Sequence, residues 1–158
     1  MHVAISTDGV NFNNVGGDLP ANTTAFTIPN RCPSTTYWIK VRMQNAEGFS
    51  AYSNVIVATT QPLRTPTGLV ASRDSSTPAI DVVITWNAPQ GCHDQVRLAR
   101  SIDGTNWNNI AVLDPGSTSF RDLNVIAGRT YHYKVRTRLN CDGVNHYSEY
   151  SNEDTARP

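Results

Sequence analysis

Three cysteines (Cys32, Cys92, Cys141) and four histidines (His2, His93, His132, His146) are the side chains of this 158-residue chain best suited to hold a metal or to act as nucleophile and base. Their spacing argues against both roles. No short ligand pair such as C-x-x-C puts two of them on one turn, as a zinc site requires. No serine stands in a G-x-S-x-G elbow, and no glycine loop is built to cradle a phosphate. Asp and Glu are scattered over turns rather than paired for glycoside hydrolysis. The reading is therefore of a non-catalytic chain with no metal and no cofactor. Two aromatic residues remain, Phe12 and Trp107, each closing an Asp-Gly-x-Asn-aromatic run. An exposed ring there would stack on a sugar, whereas a ring packed across its own hairpin is structural. Asn22-Thr23-Thr24 is one glycosylation sequon.

Composition narrows the partners. The chain has 13 basic and 13 acidic residues, a net charge of zero and 39% hydrophobic residues. It lacks the basic footprint of a nucleic-acid binder. No apolar run is long enough to insert in a membrane. Met1-His2-Val3-Ala4-Ile5 is no secretion signal, so a secreted form expects its targeting signal upstream or already removed.

An internal repeat organises the rest. Ser6-Thr7-Asp8-Gly9-Val10-Asn11-Phe12 returns as Ser101-Ile102-Asp103-Gly104-Thr105-Asn106-Trp107, about 95 residues on (101 − 6). Thr36-Tyr37-Trp38-Ile39-Lys40-Val41-Arg42 returns as Thr130-Tyr131-His132-Tyr133-Lys134-Val135-Arg136, and Tyr52-Ser53-Asn54 returns as Tyr150-Ser151-Asn152. A period of that length fits whole small domains rather than solenoid repeats. Within each repeat, Val82, Ile84 and Trp86, then Val96 and Leu98, then Tyr131, Tyr133 and Val135 alternate with their neighbours. Period two in β-branched and aromatic residues means half-buried strands, and the Asp-Gly pairs mark turns between them. The fold class is all-β.

On these motifs the second repeat resembles a fibronectin type III module. Pro66-Thr67-Gly68-Leu69 is similar to strand A of that family, and Val82 to Trp86 to strand B with its buried core tryptophan. Val96 to Ser101 is similar to strand C, and Tyr131 to the corner tyrosine before strand F. The resemblance implies tandem immunoglobulin-like β-sandwiches. Residues 1–60 match only from strand C onward, as an incomplete module lacking strands A and B. Residues 61–66 are a proline-bearing linker, and 67–158 a complete module. Trp86, Tyr37 and Tyr131 are expected as structural core.

That fold carries further expectations. Its B–C and F–G loops share one pole, which implies a Cys92–Cys141 disulfide and leaves Cys32 free or inter-chain. His93, Asp94, Asp142, His146 and Tyr147 on those loops are candidates for a partner surface. Without strands A and B, Ala25, Phe26, Thr27 and Ile28 are expected as a lone strand whose open edge accepts strands from a neighbour.

Three functions follow from the resemblance. The first is a structural or spacer array outside the cell or on its surface, whose partners are neighbouring domains of the same polypeptide or identical chains. The second is a self-assembling filament subunit completed by strand addition. The third is an accessory module that binds polysaccharide for a degrading enzyme.

Overall fold

The computed structural model describes residues 1–76 and 80–158, and they divide into two compact units, Met1–Pro62 and Leu63–Pro158. Every regular element among the described residues is a strand.

Unit 1 contains β1 (His2–Ser6), β2 (Asn13–Val15), β3 (Thr36–Arg42), β4 (Gln44–Asn45), β5 (Gly48–Phe49) and β6 (Ile56–Thr59). Four of these form an antiparallel sheet in the order β2-β1-β3-β6, and β4 and β5 make a small hairpin. Unit 2 contains β7 (Thr67–Arg73), β8 (Val82–Asn87), β9 (Gln95–Ser101), β10 (Asn108–Leu113), β11 (Ser119–Asp122), β12 (Tyr131–Cys141), β13 (Val144–Tyr147) and β14 (Asp154–Ala156). One sheet runs β11-β8-β7, the other β10-β9-β12-β13, with β14 also paired to β12. Leu69, Ala71, Val82, Ile84 and Trp86 of the first sheet pack on Val96, Leu98, Tyr131, Tyr133, Val135 and Ala156 of the second. Alternation along each strand sends these side chains inward, and burying each large one contributes about 1.5–3 kcal/mol.

The repeated Ser-x-Asp-Gly-x-Asn run builds the same hairpin turn twice. Asp8 Oδ1 accepts the Val10 and Asn11 N–H groups at 2.8 and 2.7 Å, and Asp103 Oδ1 accepts those of Thr105 and Asn106 at 2.9 and 2.7 Å. Gly9 and Gly104 follow at φ 74° and 73°, where a Cβ is strained. The Ser6 hydroxyl and then the Asn11 groups hold the Asp8 carboxyl well below the usual carboxylate range. The Asn106 side chain and backbone do most of the same for Asp103. A folded-state value below the unfolded one gives stability that is full above the unfolded value, about pH 3.9, and is lost as pH falls through the folded value. The urea midpoint is expected to drop as pH falls below that point, and Asp8→Asn with Asp103→Asn is expected to flatten the drop.

Two expectations are corrected here. Ala25, Phe26, Thr27 and Ile28 form no strand. In unit 2 the corresponding β11 exists by pairing with β8, Phe120 opposite Ile84. Unit 1 has no strand of that kind, so its segment has no ladder to join. Phe26 instead lies where a Cβ on Gly16 would stand 2.1 Å from its ring. The stretch between β12 and the last strand also starts as a hairpin rather than a loop. β12 continues to Cys141 and turns back into β13 through Asp142 and Gly143, both at positive φ (52° and 81°). This is the two-residue Asp-Gly hairpin that right-handed strand twist favours.

Candidate functional site

The chemistry-bearing side chains gather on the outer face of the larger sheet, in the same order in both units. Lys134 and Arg136 are two apart on β12 and so share that face. In unit 2 the Lys134 Nζ sits 3.8 Å from the Trp107 ring centroid and 4.4 Å from that of Tyr150. The Arg136 guanidinium lies 4.6 Å from Tyr150 and 4.1 Å from Tyr147, and Arg97 lies 5.9 Å from Tyr147. In unit 1 Lys40 lies 3.8 Å from Phe12 and 4.3 Å from Tyr52. Arg42 lies 4.8 Å from Tyr52 and 3.8 Å from Phe49, and His2 meets Phe49 edge to face at 5.1 Å. Each cation is held by ring faces rather than by a carboxylate. Among the described residues Lys40, Arg42, Lys134 and Arg136 form no ion pair. The buried Nε atoms of Arg42, Arg97 and Arg136 have no hydrogen-bond acceptor, as expected of guanidinium groups covered by rings.

The rings of the final segment are set by a three-residue period. Ser148 and Ser151 face β12 while Tyr147 and Tyr150 face the cations. Ser148 donates its N–H to Thr137 O at 3.1 Å, and its Oγ accepts the Thr137 N–H at 3.0 Å. Ser151 does the same with Val135 at 2.8 and 3.1 Å. Ser50 and Ser53 repeat the arrangement on Met43 and Val41. A serine hydroxyl thus replaces the carbonyl of a strand ladder, and a period of three, that of polyproline II, replaces the strand's two. The signal was in the sequence as Phe49-Ser50-Ala51-Tyr52-Ser53 and Tyr147-Ser148-Glu149-Tyr150-Ser151. It escapes a search for periods of 2 and 3.6.

Of the loop-pole candidates, His93 and Asp94 are held by bonds within unit 2. His93 bonds the Gly91 carbonyl at 3.1 Å and the Pro115 carbonyl at 2.8 Å. Asp94 accepts the Arg138 guanidinium at 3.2 Å and the Asn140 N–H at 2.7 Å. Asp142 lies in the β12–β13 turn, His146 pairs with Leu139 across that hairpin, and Tyr147 belongs to the cation–aromatic stack. His132, on the outer face of β12, bonds Glu153 at 2.6 Å.

The cysteine expectations are overturned. Cys92 is a free, exposed thiol, while Cys141 and Cys32 are each disulfide-bonded. The last β12 residue paired with β9 is Arg138, opposite Gln95, and Cys92 and Cys141 each lie three residues beyond that pair. His93 meanwhile ties the Cys92 segment to Pro115, between β10 and β11.

The structural residues are placed as follows. Trp86 is 4% exposed and donates its indole N–H to Ser117 O at 2.9 Å. The Tyr131 hydroxyl accepts the Ile126 N–H, and that of Tyr37 accepts the Cys32 N–H, both at 3.0 Å. One polar cluster was not foreseen. Buried Asp122 accepts Arg100 at 2.7 Å, the Tyr133 hydroxyl at 3.1 Å and the Asn124 N–H at 3.0 Å. Burial, then the Asp122 charge, pushes the Tyr133 phenol well above its usual range.

A family model, the fibronectin type III domain of SaeA (third domain), matches residues 70–156, more than half of the chain. An Fn3-like protein from Clostridium thermocellum is 32% identical over 58% of this chain and 88% of its own, with a TM-score of 0.47. A two-domain fibronectin type III segment of chicken tenascin is similar at 14% identity and TM-score 0.58, covering 99% of this chain and 83% of its own. The FN1–FN3 domains of chicken CNTN1 match at 17% identity and TM-score 0.50, over 99% of this chain and 53% of theirs. No curated protein sequence matches the chain.

Proposed function

The chain belongs to the fibronectin type III family, and on that premise we propose that it is a non-catalytic structural array of an extracellular or cell-surface protein, organising neighbouring domains. One observation carries this reading. The side chains able to do chemistry are spent on the modules themselves, with the cations of both outer faces stacked between rings. Disulfide-bonded Cys32 and Cys141 suit an oxidising compartment.

Polysaccharide binding through Trp107 is disfavoured by the same stack. Lys134 occupies one face of that ring, and the indole N–H is committed to Gly104 O at 3.2 Å. The chain is expected to pass unretained over insoluble cellulose and cross-linked polygalacturonate. Retention that disappears in Trp107→Ala would overturn the structural reading in favour of a carbohydrate module. Self-assembly by strand addition is the second reading, favoured by the exposed edge strand β6, where Ile56 and Val57 are open to solvent.

A further inference from the structure

Two arginines on the outer face of unit 2 stand directly opposite each other. Arg97 of β9 pairs with Arg136 of β12, which sets their Cα atoms about 5 Å apart on neighbouring strands. Lys134 follows two residues along β12 on the same face. Like charges placed opposite each other cost an antiparallel pair stability. No carboxylate offsets them, since Arg97, Lys134 and Arg136 form no ion pair among the described residues. The strand on the other side of Arg97 sets Val112 opposite it. Tyr147 contacts both guanidinium groups, at 5.9 and 4.1 Å, and Tyr150 contacts Lys134 and Arg136.

Unit 1 answers the same position from within. By repeat and register His2 stands where Arg97 stands, paired with Arg42 as Arg97 is paired with Arg136. His2 Nε2 has Asp18 Oδ1 at 3.3 Å and Gln44 Oε1 at 2.7 Å. Unit 1 thus brings a carboxylate to this pair. Unit 2 brings a second arginine and only the neutral Gln95 Oε1, which accepts Arg97 Nη2 at 3.0 Å. The Nε atoms of Arg97 and Arg136 are buried without an acceptor. A ring face offsets the charge of a guanidinium without accepting its in-plane N–H groups, so the outer ones are left for an acceptor from outside.

We propose that Arg97, Arg136 and Lys134 form a docking site for an acidic protein segment, an extended stretch with carboxylates on alternate residues. One carboxylate bridges the two guanidinium groups, and the next reaches Lys134. Alternate residues of an extended chain repeat at about 7 Å, which is also the spacing of Lys134 and Arg136 along β12. The planar fork of arginine matches a carboxylate edge to edge. A sugar or a nucleobase is the weaker fit, because stacking needs an open ring face and Tyr147 and Tyr150 each carry two cations already. This site rests on the structural-array reading and names the chemistry of a protein neighbour. Peptide binding that fails here leaves that reading to its own retention test on cellulose and polygalacturonate.

The test titrates the full chain, at low ionic strength, into a fluorescein-labelled peptide of alternating Glu and Ser, read by anisotropy. A peptide of the same composition with its Glu in one block is the spacing control. The expected result is binding that favours the alternating peptide, weakens with salt and falls about tenfold in Arg97→Gln, the worth of one charge-assisted hydrogen bond. Arg97→Lys, which keeps the charge without the fork, is expected to fall in between. Arg73 is exposed on β7 of the other sheet, and Arg73→Gln is expected to leave the affinity unchanged. Arg97→Gln removes one of two like charges, and an unchanged or raised urea midpoint verifies its fold. Arg97→Lys and the block peptide carry the test independently of that variant. No binding, equal affinity for the two peptides, or equal losses in Arg73→Gln and Arg97→Gln would overturn the proposal. So would a sulfated oligosaccharide of equal charge that displaces the peptide and binds more tightly through Arg97, since the partner is then a glycan.

Discussion

Asp122→Ala is expected to cost unit 2 about 2–3 kcal/mol in urea unfolding, because it removes a buried acceptor, although Arg100 is 23% exposed and keeps its bond to Asn124 O. The Arg100–Asp122 pair is 2.7 Å long, with the Asp122 side chain 4% exposed. Removing the carboxylate also takes the acceptor from the Tyr133 hydroxyl and the Asn124 N–H. Unit 1 supplies the counterpart. At the positions of Arg100, Asp122 and Tyr133 in the repeat it carries Ile5, Ile28 and Ile39, so one scaffold solves the same site with a charged triad or with isoleucines. Replacing a complete buried ion pair by apolar groups is often neutral or better, whereas breaking it is not. The variant Arg100→Ile, Asp122→Ile, Tyr133→Phe is therefore expected to regain most of what Asp122→Ala loses. A triple variant no more stable than the single one would show that the triad positions backbone that apolar packing does not.

Ser148→Ala with Ser151→Ala is expected to detach the segment between β13 and β14 from β12. Each change removes the hydroxyl that accepts a strand N–H, that of Thr137 or Val135. An unsatisfied buried donor costs about 1–3 kcal/mol. Hydrogen exchange at the Val135 and Thr137 amides is expected to approach that of exposed positions. The same segment brings Tyr147 and Tyr150 to Arg136, whose cation–aromatic contacts contribute about 0.5–2 kcal/mol each. Arg136→Ala in the double-serine background is then expected to cost less than in the native chain, because rings and hydroxyls act on one segment. Additive losses would mean that the stack holds without the serines.

Much of the fold was legible in the residues. The near-95-residue repeat, the period-two strands and the paired Asp-Gly turns are local or self-referential signals, and each is enforced by chain geometry alone. Tyr131 and Trp86 were readable because a large aromatic at a fixed offset from a turn has few places to go. The candidate sites were less legible. Strand content at Ala25 to Ile28 depends on a partner ladder that unit 1 lacks, and propensity cannot supply one. The fate of Cys92 depended on a tertiary contact, His93 with the Pro115 carbonyl between β10 and β11, that sequence spacing does not encode. The cation–aromatic stack needed β12 and the final segment side by side, so its rungs, far apart in sequence, became neighbours only in the folded sheet. The sequence by itself determined a two-unit all-β chain and the residue types of each face. The tertiary structure decided which of those residues meet, because pairing register and sheet overlap are set by long-range packing rather than by any local pattern.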